Sequence, residues 1–102
     1  MNDALIKAQK FIDEVRRNGV FVSQAKVYGS YSKGIATEDS DIDVCVVSPS
    51  FGKDYIAEMV KLRKIALKID SRIEPVPITP EDLSDRLATL SSEIRKYGIA
   101  LK

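Results

Sequence analysis

Apolar residues recur at helical spacing over the first part of the chain. Ala4, Leu5, Ala8, Phe11, Ile12 and Val15 fall on one face between Asp3 and Asn18, polar residues fill the other face, and Gly19 supplies a stop. The pattern then shortens. VFVSQAKVY, which separates Gly19 from Gly29, is rich in β-branched residues and partly alternating, and it predicts a strand ending at Gly29. Residues Ser30 to Ser40 are dominated by Ser, Thr, Gly and charge and predict a loop or a short helical turn. Asp41 to Val47 is the clearest strand, with Asp41, Asp43, Cys45 and Val47 on one face and Ile42, Val44 and Val46 on the other.

Ser48 to Lys53, with Pro49 and Gly52, predicts a loop, and Asp54 is placed to cap a helix running to about Ile69. Arg72 to Ile78 predicts a third strand despite two prolines. Pro75 and Pro77 are two apart, so the missing N–H groups point the same way, which places at least part of this strand at a sheet edge. Thr79-Pro80-Glu81-Asp82 then supplies an N-cap, a first-turn proline and acidic residues for a helix. Helical character, broken near Ala88, runs on to Tyr97, and Gly98 closes it before an extended tail, Ile99-Ala100-Leu101. The order is helix, strand, loop, strand, helix, strand, helix. It predicts an α/β arrangement in which a crossover helix joins the second and third strands in parallel.

Composition narrows the function classes. A length of 102 residues supports one modest core, so residues 1–102 are expected to form a single domain. Hydrophobic content of 44% and charged content of 30% fit an ordered globule. A net charge of +1 argues against a strongly electrostatic nucleic-acid binder, so direct nucleic-acid binding is not expected. The single Cys45 excludes an intrachain disulfide and fits a reducing cytoplasm. The absence of histidine excludes imidazole triads and imidazole metal sites, leaving carboxylates as the main ligands for a hard cation. No signal-peptide pattern is evident, and the apolar runs are too short to cross a membrane, so no membrane association is expected.

The carboxylates carry the chemistry. Asp41 and Asp43, two apart on a strand, project to the same side with bases roughly 7 Å apart. Their repulsion costs about 1 kcal/mol or more when partly shielded from water. A divalent cation converts that cost into binding energy, and oxygen ligands with substrate phosphates suit Mg²⁺. Taken alone, such a pair reads more readily as structural, with Asp41 capping the loop and Asp43 salt-bridged to a lysine. Gly29-Ser30 shifts that balance. Glycine lets backbone approach a ligand closely, and Ser30 offers a hydroxyl and an N–H where a helical turn can begin. Glu74, brought alongside if the third strand lies next to the second, is the candidate third carboxylate. Its alternative role is a solvated glutamate on an edge strand.

Gly29-Ser30, ten intervening residues, then Asp41-Ile42-Asp43 resembles the signature of minimal nucleotidyltransferases of the DNA polymerase β superfamily. GSYSKGIATEDSDIDV is similar to the family's run throughout, and RIEPVPITPEDL and EIRKYGIAL resemble the C-terminal half of small members. The resemblance implies a small α/β domain, a mixed sheet of three or four strands with helices mainly on one face. It implies that Gly29 and Ser30 hold the terminal phosphates of a nucleoside triphosphate, ATP foremost, with Lys33 assisting where arginine is frequent. Asp41 and Asp43 would ligate two Mg²⁺ ions, with Mn²⁺ as a substitute, and Glu74, where many members carry aspartate, would complete a metal site and orient or deprotonate the acceptor. The implied reaction is transfer of AMP to a hydroxyl. In the toxin–antitoxin modules where such proteins pair with a HEPN-domain protein, that hydroxyl is a tyrosine of the partner, and the nucleotidyltransferase is the antitoxin within a hetero-oligomer. Two other readings stand beside it: a catalytically silent module that neutralises a HEPN partner by contact, and a free-standing RNA nucleotidyltransferase.

Other residues draw plainer readings. Lys61, Lys64 and Lys68 share a face of the second helix, most simply a solvated one. Tyr31, beside the Gly-Ser turn, suits base stacking and loop packing equally. Cys45, Phe11, Val60 and Leu67 are expected in the core.

Overall fold

In the computed structural model, residues 3–37, 39–85 and 89–102 are described. Ala4, Ala8, Phe11, Ile12 and Val15 form the buried stripe of α1 (Asp3–Arg17), as the periodicity predicts. Its last turn carries Arg16 and Arg17, where cations complement the helix dipole. The chain then enters β1 (Gln24–Tyr28), shorter than expected. Val20 to Ser23 are not strand. The pair Gln24↔Val47 is the last between β1 and β2 (Ile42–Val47), so earlier residues have no partner strand to join. Both the amide and the hydroxyl of Ser23 donate to the Val47 carbonyl, at 2.9 and 3.0 Å, closing off the ladder.

The connection between β2 and β3 (Ile73–Ile78) is α2 (Tyr55–Ile69). Asp54 caps α2 as predicted, its carboxylate accepting from the Ala57 amide at 3.1 Å. The Glu58 carboxylate reaches back to accept from the amides of Gly52, Lys53 and Asp54. Thr79 caps α3 (Pro80–Ser84), with Pro80 at its start. α4 (Thr89–Tyr97) follows. The expected helix break near Ala88 lies outside the described residues. Ser91 Oγ donates to the Asp82 carbonyl at 2.6 Å, and Arg95 donates to the carbonyls of Leu83 and Asp85, tying α4 to α3.

The sheet order is β3-β2-β1-β4, with β2 and β3 parallel and the other pairs antiparallel. The prolines are explained by this order: β3 is an edge strand, and the backbone positions facing outward need no donors. The expected tail is a short fourth strand, β4 (Ile99–Ala100), paired to β1. Gly98 precedes it because an added Cβ would fall on the Ile94 carbonyl and the Lys26 side chain.

Alternation divides the interior into two layers. Ile42, Val44 and Val46 meet Val27, Ile73 and the two long helices α1 and α2. Cys45 and Val47 meet Tyr28, Ile78, Leu83 of α3 and Ile94 of α4. The long helices therefore share one face, as expected, and the shorter pair covers part of the other. Val60 and Leu67 depart from their expected place in the core, being 45% and 56% exposed. Leu62, Ile65 and Ala66 turn inward on α2, which forces the stripe containing 60 and 67 to the outside.

Candidate functional site

Register brings the predicted carboxylates together. Tyr28, Asp43 and Glu74 lie opposite one another across β1, β2 and β3, on the face that carries Cys45. Asp41, exposed, directly precedes β2, whose first amide, that of Ile42, donates to the Arg72 carbonyl at 2.8 Å. Asp43 is half-buried. Its carboxyl is pushed above the usual aspartate range first by burial, then by the negative charges of Asp41, Glu74 and Glu93. The same crowding acts on Tyr28, whose phenol is driven up by burial and by Asp43.

Gly29 explains how Asp43 fits. Its φ of +71° is left-handed, and a Cβ at this position would collide with Asp43 Oδ2. The glycine therefore does two things: it turns the chain out of β1, and it leaves the space that the Asp43 carboxylate fills. Beyond it the backbone coils into a helical turn. The Lys33 amide donates to the Gly29 carbonyl at 3.2 Å and the Ile35 amide to the Ser30 carbonyl at 3.1 Å. Ser30 is half-buried at the start of this turn, next to Asp43's neighbour Gly29. Tyr31 takes the packing role. Its ring lies against the core, and its hydroxyl donates to the Thr37 carbonyl at 3.1 Å and accepts from Arg72 Nη1 at 3.4 Å.

Two of the expected site residues hold partners that the sequence did not suggest. Glu74 Oε2 is 2.6 Å from Nη1 of Arg63, which also donates to the Ile73 carbonyl. Lys33 Nζ is 2.5 Å from Glu93 Oε1 and 5.2 Å from the centre of the Tyr97 ring. Hydrogen bonding to Glu93 raises the Lys33 ammonium further above its ordinary range. Cys45 lies deeper on the same face, with burial pushing its thiol up to about 11, as a packing residue. Lys61, Lys64 and Lys68 are exposed on α2.

No three Asp, Glu or Cys side chains converge as a metal-holding group among the described residues. The donor set nonetheless fits a hard divalent cation. Asp41 and Asp43, two residues apart, offer only carboxylate oxygens, and the negative charge of Asp41 is among the causes that push the Asp43 carboxyl up. Glu74 is the adjacent third donor by register, at present engaged by Arg63.

Sequence reasoning passed over Glu93 and Tyr28 and gave Arg63 no role. Tyr28 stands one residue before Gly29 and could have been found from the strand alternation. Glu93 lies fifty positions along from Asp43, and its charge acts on Asp43 only because α4 docks on this face.

A profile of the nucleotidyltransferase domain family matches residues 8–99, and the chain belongs to that family. Among its relatives, MJ1305 of Methanocaldococcus jannaschii, provisionally named a protein adenylyltransferase, is 37% identical over 62 residues, 57% of this chain and 42% of that protein. The match thus spans less than half of that relative's length. A crystal structure of a toxin–antitoxin with AMP-PNP superposes with a TM-score of 0.67 at 26% identity, over 92% of this chain and 72% of that one. A crystal structure from Sulfolobus solfataricus, provisionally named a nucleotidyltransferase, matches at 15% identity and a TM-score of 0.63 over 98% of this chain and 87% of that one and shares the fold. Among the described residues no helix is long and apolar enough to cross a membrane.

Proposed function

We propose that this chain is a metal-dependent adenylyltransferase that moves AMP from ATP to a hydroxyl, a tyrosine of a HEPN-domain partner, and so acts as an antitoxin. The observation that carries the reading is the placement of Asp43: in register with Glu74, two residues from Asp41, and occupying the space that Gly29 leaves open. That arrangement supports reading the Gly-Ser turn and the carboxylates as parts of one site. The likeness to MJ1305 supports protein as the acceptor class, and the likeness to a toxin–antitoxin with AMP-PNP supports both an adenine nucleotide and a protein partner.

The residues divide the work as follows. Gly29 and Ser30 seat the terminal phosphates on the helical turn that follows, where backbone amides donate to anions. Asp41 and Asp43, with Glu74, would hold Mg²⁺ or Mn²⁺. When bound, such ions neutralise charge on the attacking and leaving oxygens. The acceptor oxygen bonds to the α-phosphorus, the bond to the β-phosphate oxygen breaks, and pyrophosphate leaves. Glu74, once released by Arg63, would accept the hydroxyl proton. Most of the rate then comes from positioning and charge compensation, which explains why a domain without histidine suffices.

The ion pairs of Glu74 with Arg63 and Lys33 with Glu93 favour a second reading, a contact antitoxin whose site is closed upon itself. One experiment separates the two. The chain is co-expressed with a HEPN-domain protein, and the partner's intact mass is measured. An increase of one AMP, lost with Asp41→Ala or Asp43→Ala, supports transfer. Neutralisation of the partner by those variants without any mass change supports contact alone.

A further inference from the structure

The Lys33–Glu93 pair links the loop to α4, which the motif does not include. Glu93 is on α4 beside Ile94, which is buried against Cys45 and Val47. Its carboxylate meets the Lys33 ammonium at 2.5 Å, while the same ammonium lies 5.2 Å from the Tyr97 ring centre one helical turn on. Lys33 belongs to the turn that begins at Gly29 and Ser30, with its amide bonded to the Gly29 carbonyl. A cation of the turn that begins at Gly29 and Ser30 is thus held by a carboxylate and an aromatic face, both supplied by α4. A carboxylate is the protein group closest in charge and hydrogen-bonding geometry to a phosphate oxygen.

We propose that Glu93 is a positioning residue that occupies Lys33 in place of a nucleotide phosphate, so that triphosphate entry takes Lys33 from Glu93. The inference rests on the nucleotide-site reading above. Its physical content is a competition. Both anions bind one ammonium, and the affinity for nucleotide is lowered by the free energy of the pair that must break.

The competition sets the sign of the test. Exposed ion pairs have modest strength, so removing Glu93 should tighten nucleotide binding about twofold to fivefold. A charge effect on Asp43 would also tighten binding, but it would not need Lys33. The two are separated by a double-mutant cycle in which the dissociation constant of AMP-PNP with Mg²⁺ is measured by calorimetry on the purified chain. Wild-type protein must bind AMP-PNP, and Asp41→Asn with Asp43→Asn must lose it; failure there overturns the site reading itself. Given that site, Glu93→Gln should tighten binding, and the same change in a Lys33→Gln background should do nothing. Unchanged or weaker binding in Glu93→Gln overturns the proposal, as does equal tightening with Lys33 absent. Glu93→Asp serves as the conservative check: a retained carboxylate should return the constant towards wild type, whereas a merely structural role would leave it at the Gln value.

Discussion

Replacing Gly29 with alanine should abolish nucleotide binding and cost the fold more than the same change at Gly19. Both glycines have left-handed backbones, with φ of +71° and +85°. An L residue in that region costs about 1–2 kcal/mol. The loss of unfolded-chain entropy on going from glycine to alanine offsets about 0.4–1 kcal/mol of it. Each substitution should therefore destabilise by about 1 kcal/mol, a fall in Tm of about 4–8 °C for a domain near this size. The sites differ in what a methyl group meets. At Gly19 there is nothing within 4 Å, whereas at Gly29 the new Cβ would collide with Asp43 Oδ2. The short Asp43 side chain can rotate away, so the collision displaces the carboxylate rather than the backbone, at an additional cost of about 0.5–1.5 kcal/mol if it leaves its rotamer. Thermal denaturation and AMP-PNP titration with Mg²⁺ on both variants measure the two effects. Gly19→Ala should melt earlier and bind normally; Gly29→Ala should melt earlier and fail to bind. In an Asp43→Ala background the extra cost at Gly29 should disappear. Equal nucleotide affinity in the two alanine variants refutes the account of why Gly29 precedes Ser30.

The acid titration should show two opposing contributions. Asp43, raised above 3.8 by burial and its neighbours, favours its protonated form in the folded state, so it subtracts stability as pH rises from that value through its folded pKa. Asp43→Asn should therefore melt higher than wild type at neutral pH, with the gain shrinking once the medium is acid enough to protonate the carboxyl. Glu58, lowered from 4.5 first by the Gly52 amide and then by those of Asp54 and Lys53, contributes stability present above 4.5 and lost as pH falls through its folded pKa. Glu58→Gln should cost stability at neutral pH and nothing in strong acid. Glu74→Gln should lower the transfer rate far more than nucleotide affinity, since a group acting on the acceptor works in the transition state. Arg63→Met, which releases Glu74 from its partner, should leave transfer intact or raise it, and a transfer rate lost equally in both variants would mean that the pair acts as a structural unit.

Much of this molecule was legible in one dimension. The helix of Asp3–Arg17 followed from apolar spacing, the caps Asp54 and Thr79 from side chains that compete for free amides, and the face division of Ile42–Val47 from strict alternation. Two prolines at one spacing placed Ile73–Ile78 at an edge, because a missing donor is tolerated only where no neighbour accepts. All of these depend on contacts within a few residues or on a period, and local chemistry states them in full.

What the tertiary structure decided depends on contacts between distant segments. The start of β1 at Gln24 was set by where its partner β2 ends, which no property of VFVS announces. The outward placement of Val60 and Leu67 followed from the way α2 rotates to seat Leu62, Ile65 and Ala66, since an apolar helix with two plausible faces is oriented only by what it packs on. In the candidate site, Asp43 and Gly29 meet because they lie on adjoining ends of the paired strands β1 and β2. Sequence spacing could not supply Arg63 for Glu74 or Glu93 for Lys33, which arrive on two helices through packing. Glycine at position 29 joins the two levels: the sequence marked a turn there, and only the fold revealed that the space it leaves is filled by the carboxylate of Asp43.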